Sequence, residues 1–325
     1  MQGISINSHQ LAQIIANIAK NFDVYGTISS EGKLTFAKVE KFADIIIPTP
    51  KTRIPFKKIL WANHQEIDNL PFTSKNKLAF VGITNCDVLA LDILIAEMAT
   101  YEFLPKREDI LVVSTECKRD EQCFCTAFGH DKVVGFDLHI QKERVGYSVY
   151  SGSKTGNKIL KENGLNLKKS ECSLKDIKLD LIDKFDEKKL SSEINDRKSH
   201  ELLWQGVANN CFGCGACTAV CPLCFCTRQD FSNKTDGTSK ICLNWDSCFS
   251  KSFSEIQNHY DFRPENVDRL YNWYHHKFVR AYKDKKHFLC TGCGRCVKAC
   301  PAHLNQHHIL DAVEKKKEVH HEQKN

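Results

Sequence analysis

Residues 211–226 read CFGCGACTAVCPLCFC, and residues 290–301 read CTGCGRCVKACP. Both contain one spacing: Cys211-x2-Cys214-x2-Cys217-x3-Cys221-Pro222 and Cys290-x2-Cys293-x2-Cys296-x3-Cys300-Pro301. Three closely spaced thiolates can wrap one face of an iron–sulfur cubane. The fourth, set apart and followed by proline, reaches a second cubane in two-cluster ferredoxins. The spacing therefore predicts two 4Fe–4S clusters with crossed ligation. Cys211, Cys214, Cys217 and Cys300 would hold one, and Cys290, Cys293, Cys296 and Cys221 the other. Gly213, Gly215, Gly292 and Gly294 supply the tight turns that bring backbone amides toward sulfur. A structural zinc site, the competing reading, usually takes two well-separated cysteine pairs, and would make the chain a zinc-stabilised interaction scaffold.

Outward from these runs, the segment between them adds Cys224, Cys226, Cys242 and Cys248, with Trp245-Asp246-Ser247 just before the last. These four thiols read either as a further metal site or as an apolar shell that limits solvent access. They would also be the candidates for catalysis within this chain, such as reduction of sulfur or polysulfide at an exposed cysteine or an incompletely ligated cluster. Pro264–His276 and His303–Val319 read as helices, and strand signals are absent after Glu201. Arg295, between two cysteines of the second run, is the basic residue expected to act on a cluster potential.

The N-terminal part has a different pattern. Ser8–Lys20 carries apolar residues at helical spacing with Ser8 as N-cap. Strands are expected over 24–28, 34–39, 78–83, 109–114, 133–140 and 144–150, with helices over 87–100 and 153–161. Cys86 and Cys117 follow two of these strands, at the edge where an α/β sheet presents its sites. With Cys123 and Cys125 they read as a third metal site or as scattered buried cysteines. From 163 to 200 the composition turns to Lys, Asp, Glu, Ser and Asn, a charged linker with one amphipathic helix over Leu174–Phe185. The fold class expected is α+β: an α/β domain over 1–162, the linker, and a mainly helical ferredoxin-like dicluster domain over 201–325.

Composition bounds the function. Lys and Arg outnumber Asp and Glu by 46 to 40. Three clusters at roughly −2 each would cancel that excess, which argues against nucleic acid as the partner. The N-terminus lacks the basic and apolar regions of a secretory signal. The most apolar stretch, Val88–Thr100, contains Asp92 and Glu97, so it does not read as a membrane span. A cytoplasmic protein is expected, and there clustered cysteines bind metal rather than pair as disulfides.

Taken together the motifs resemble one known family, which spans the iron–sulfur beta subunit of soluble NiFe sulfhydrogenases and the matching iron–sulfur component of anaerobic sulfite reductase. The resemblance rests on Asn85-Cys86-Asp87, Cys117-x5-Cys123-Phe-Cys125-Thr with Phe128-Gly129, and Gly135-Phe136-Asp137. It continues through the run at 211–226, Trp245-Asp246-Ser247-Cys248, Phe262-Arg263-Pro264, Tyr274-His275-His276-Lys277-Phe278, and the run from Phe288 to Pro301. It implies an electron relay between a flavin-containing, NAD(P)-linked subunit and a catalytic one, either hydrogenase or sulfite reductase. It also implies a third cluster on Cys86, Cys117, Cys123 and Cys125. One departure is Thr84-Asn85, where the family commonly has Arg-Pro. No Gly-rich dinucleotide fingerprint occurs, which assigns flavin and nicotinamide binding to a partner.

Overall fold

The computed structural model describes residues 3–60, 65–66, 77–101, 104–165, 174, 182–233, 235, 237 and 239–316. The chain is α+β and divides into two compact units. The first takes in 1–121, 131–178 and 231–242; the second takes in 122–130, 179–230 and 243–325.

The first unit is built on a seven-stranded sheet. In chain order its strands are β1 Gly3–Ile6, β2 Phe22–Ser30, β3 Lys33–Lys38, β4 Lys77–Ile83, β5 Ile110–Thr115, β6 Leu138–Lys142 and β7 Tyr147–Ser151. Their order across the sheet is β1-β7-β6-β5-β4-β2-β3. β2, β4, β5 and β6 run parallel to one another, while β3 pairs antiparallel with β2 and β7 pairs antiparallel with both β6 and β1. Every residue of β5 is buried, and all of β4 after Lys77. Continuous apolar runs of this kind belong to central parallel strands covered on both faces.

One cover is the helix Ser8–Ile18, which buries Leu11, Ile14, Ile15 and Ile18. That i, i+3, i+4, i+7 stripe contributes roughly 1.5–3 kcal/mol per side chain. Its cap is Asn7, one residue before the expected Ser8. The Asn7 side chain accepts from Gln10 N at 2.9 Å, and Gln10 Oε1 accepts from Asn7 N at 3.0 Å. The strand expected over 133–140 starts only at Leu138. Gly135 turns the chain at φ +74°, and Asp137 spends its carboxylate on Val112 N and the Ser153 hydroxyl.

The second unit is mainly helical. Its helices are Glu187–Asn195, Glu201–Asn210, Asn266–Tyr274, Ala281–Lys285 and Gln306–Lys315, with a π-helical turn over His275–Arg280. They close on an aromatic core in which Trp204 meets Tyr274 at 5.0 Å and Phe128 stacks on Phe278 at 6.2 Å. Within the segment expected as a linker, Leu190 and Ile194 of the helix Glu187–Asn195 belong to this core. The helix expected over Leu174–Phe185 lies mostly outside the described residues, and 182–185 are not helical. The absence of strands after Glu201 is also corrected: Thr227–Asn233 and Ser239–Trp245 lie side by side. Their polar composition gave no alternation to read. No helix among the described residues is long and apolar enough to cross a membrane.

Candidate metal centres

Each cysteine run makes the same turn. Gly213 and Gly292 sit at φ +62° and +64°, and Gly215 and Gly294 at +71° and +73°. A side chain at any of them would be strained. The turn points Gly213 N at Cys211 Sγ, 3.4 Å away, and Gly292 N at Cys290 Sγ, 3.5 Å away. Short helices, Ala216–Ala219 and Arg295–Ala299, then carry the chain on to Cys221 and Cys300.

Two cavities result in the second unit. One spans about 440 Å³ including the open space at its mouth, and its lining includes Cys211, Cys214, Cys217 and Cys300. The other spans about 410 Å³ on the same basis, and its lining includes Cys221, Cys290, Cys293 and Cys296. Each takes three thiols from one run and the fourth from the other. Trp273 and Gln306 line both. Among the described cysteines none is joined in a disulfide.

The two runs are propped differently. Asn266 Nδ2 donates to Ala208 O at 3.0 Å and Cys211 O at 2.7 Å, beneath the first run. Ser247, from the Trp245-Asp246-Ser247 motif, accepts from the Thr218 hydroxyl at 2.9 Å and from Phe249 N at 3.1 Å. The second run lies against backbone: Phe124 N donates to Gly292 O at 2.9 Å, so Cys123 and Cys125 flank a residue of the second cavity's wall.

Lys277 was missed by the sequence reading. It is 3% exposed. Its Nζ donates to Leu289 O at 2.9 Å and to Cys221 Sγ at 3.4 Å, and lies 5.3 Å from the Trp273 ring centre. Its own carbonyl accepts from Leu289 N at 3.0 Å, so both ends of Lys277 are tied to the residue before Cys290. Burial alone would push the ammonium down, but the thiolates of Cys221, Cys224 and Cys290 hold it well above its ordinary value. A signal did exist in the sequence: Leu270, Trp273, Tyr274, Lys277 and Phe278 form an apolar stripe at helical spacing interrupted by one lysine. Arg295 is also buried, but it is not among the residues that line either cavity.

The donor sets fit iron–sulfur cubanes. Burial pushes the Cys217 and Cys290 thiols up to about 12. Four bare thiolates are therefore disfavoured in either cavity unless a cationic core compensates them. Buried donors are also waiting: Trp273 Nε1 and Thr291 Oγ1 are buried with no hydrogen-bond partner, and both residues line a cavity. Such groups are costly unless an acceptor such as cluster sulfide meets them. Among the described residues, no three His, Cys, Asp or Glu side chains form a group able to hold a single metal ion.

The remaining cysteines are distributed over both units. Cys86 and Cys117 belong to the first, at the C-terminal ends of the neighbouring parallel strands β4 and β5. Cys86 lies within the first turn of the helix Asn85–Glu97, not before it. The Thr84 hydroxyl is 3.2 Å from Cys86 Sγ, and the Asn85 amide is tied to Lys132 O and Val134 N. Cys123 and Cys125 belong to the second unit. Of the intervening thiols, Cys226 and Cys248 hydrogen-bond each other, which pulls Cys226 down and raises Cys248. Cys248 is buried in the aromatic core and Cys226 packs against it.

Comparison with known proteins agrees with this reading. Residues 210–304 match the family model of the 4Fe-4S dicluster domain, which supports iron–sulfur clusters in this region. The whole chain is similar to sulfhydrogenase 2 subunit beta of Pyrococcus furiosus, at 25% identity over 96% of this chain and 98% of that protein. No solved structure matches significantly.

Proposed function

We propose that this chain is the electron-relay subunit of a sulfhydrogenase-like complex. It would pass single electrons between a flavin- and NAD(P)-linked subunit and a catalytic one. Cys211, Cys214, Cys217 and Cys300 hold one 4Fe–4S cluster; Cys290, Cys293, Cys296 and Cys221 hold the other. The observation that carries the reading is the pair of four-cysteine cavities sharing Trp273 and Gln306 in their walls. When bound, the clusters supply one-electron redox chemistry. The protein's part is to keep water from the second cavity, to aim Gly213 N and Gly292 N at ligand sulfur, and to position two redox groups on either side of one indole. Similarity to a sulfhydrogenase subunit supports the choice of complex.

The test is anaerobic isolation with iron and acid-labile sulfide analysis, followed by EPR of the reduced chain. About 8 Fe per chain with paired cubane signals is expected. About 12 Fe would extend the reading to Cys86, Cys117, Cys123 and Cys125. Zinc in place of iron would refute it.

A further inference from the structure

The two cavities are matched in their turns, their thiols and their backbone donors, so a difference in charge between their walls stands out. Among the described residues, no charged side chain lines the first cavity. In the second, Lys277 contributes a buried ammonium whose Nζ is 3.4 Å from Cys221 Sγ. Its other partners, Leu289 O and Leu223 O, are neutral carbonyls. Among the described residues, no carboxylate lines this cavity to neutralise it.

We propose that Lys277 raises the potential of the cluster of Cys221, Cys290, Cys293 and Cys296 above the value it would have without the lysine. This rests on the two-cluster reading above. The step concerned is a one-electron transfer in which no bond forms or breaks and the proton stays on Nζ. Reduction adds a negative charge beside a fixed positive one, in a site where water screens little. The reduced form therefore gains more than the oxidised form, and the potential rises. Lys277 cannot drift from this position. Its side chain and its backbone both bind Leu289, the Trp273 ring packs against Nζ, and its segment takes a π-turn, a local irregularity frequent at functional sites. It lines the second cavity and not the first, so its charge distinguishes two sites that share one ligand spacing.

The experiment is an EPR-monitored redox titration of the anaerobically isolated full chain, with dithionite as reductant. Wild type, Lys277→Met and Lys277→Arg are compared, and Cys214→Ser identifies the signal of the first cavity. In Lys277→Met, the reduced-to-oxidised ratio of the second cluster at a fixed potential should fall at least tenfold, a shift of about 59 mV for a one-electron couple. The first cluster should move much less, and Lys277→Arg should stay near wild type. Equal shifts in both clusters, no shift, or an arginine variant that follows methionine would overturn the inference. If Lys277→Met does not retain its iron, wild type labelled with 15N only at the lysine ζ position decides. Pulsed EPR should find a nitrogen coupling on one reduced cluster, and its absence from both refutes the role. A wild-type chain without iron and sulfide would instead sink the two-cluster reading itself, which keeps the two failures apart.

Discussion

The runs 211–221 and 290–300 share a spacing and a turn, yet one is a surface loop and the other an interior one. Phe212 is 70% exposed, whereas Thr291, at the same place in the repeat, is 2% exposed. Cys214 is exposed and Cys293 buried. The first run leans on side chains, those of Asn266 and Ser247, and the second on the backbone of residues 122–125. Identical ligand chemistry therefore does not require identical support. Side-chain props can give way by a rotamer change, while a backbone prop is fixed by the packing of its whole segment.

The sharpest way to break the comparison is to add one methyl group to each run. Gly294 and Gly215 have nearly the same φ, +73° and +71°, so the conformational strain of alanine is matched. A Cβ on Gly294 would stand 2.1 Å from Gln122 O, whereas on Gly215 it would stand 2.9 Å from the Ser247 hydroxyl. Gly294→Ala should cost about 3–4 kcal/mol and strip iron from the second cavity; Gly215→Ala should cost about 1–2 kcal/mol. Denaturant unfolding and iron content check both. Equal losses would show that the backbone prop is no stiffer than the side-chain one.

A middle-sized effect tests the side-chain prop alone. Asn266→Ala removes the side-chain donor from Cys211 O and leaves Ala208 O with Cys211 N alone. A loss of about 2 kcal/mol is expected, with the EPR signal of the first cavity broadened and that of the second unchanged. A matching change in both signals would mean that Asn266 supports the whole unit rather than one loop.

The contrast between the runs also explains what the sequence could and could not reveal. Cluster spacing and the four glycines are legible because their chemistry acts over a few residues, within one turn. The stripe Leu11, Ile14, Ile15 and Ile18 and the apolar runs of β4 and β5 are legible for the same reason, since burial imprints a local period. The packing of Phe124 on Gly292 is not, because it joins segments more than a hundred residues apart and neither carries a local mark. Lys277 was visible as an oddity in an apolar stripe. Its partners were hidden, because the π-turn shifts the register on which a helical projection depends. Arg295, chosen for its place between two ligands, shows the limit of reading proximity from sequence: adjacency along the chain did not make it part of a cavity wall.

The smallest effect asks whether the shared wall keeps the two sites apart. Tyr274 lines the first cavity only, and its hydroxyl donates to Oε1 of Gln306, which lines both. Burial pushes the phenol well above its usual range, and the thiolates of Cys296 and Cys217 add to that, so it remains a donor. Tyr274→Phe keeps the ring on Trp204 but leaves the Gln306 carbonyl unpaired, a loss of about 1 kcal/mol with full iron retained. Its small change in potential should appear in the first cavity's signal, where Lys277→Met acts on the second. Tyr274 and Lys277 line different cavities but both pack on Trp273, so in the double variant the two shifts should add only if the shared wall keeps the sites apart. A clear departure from additivity would mean that Gln306 and Trp273 couple the two sites, and that the wall transmits what happens on either side.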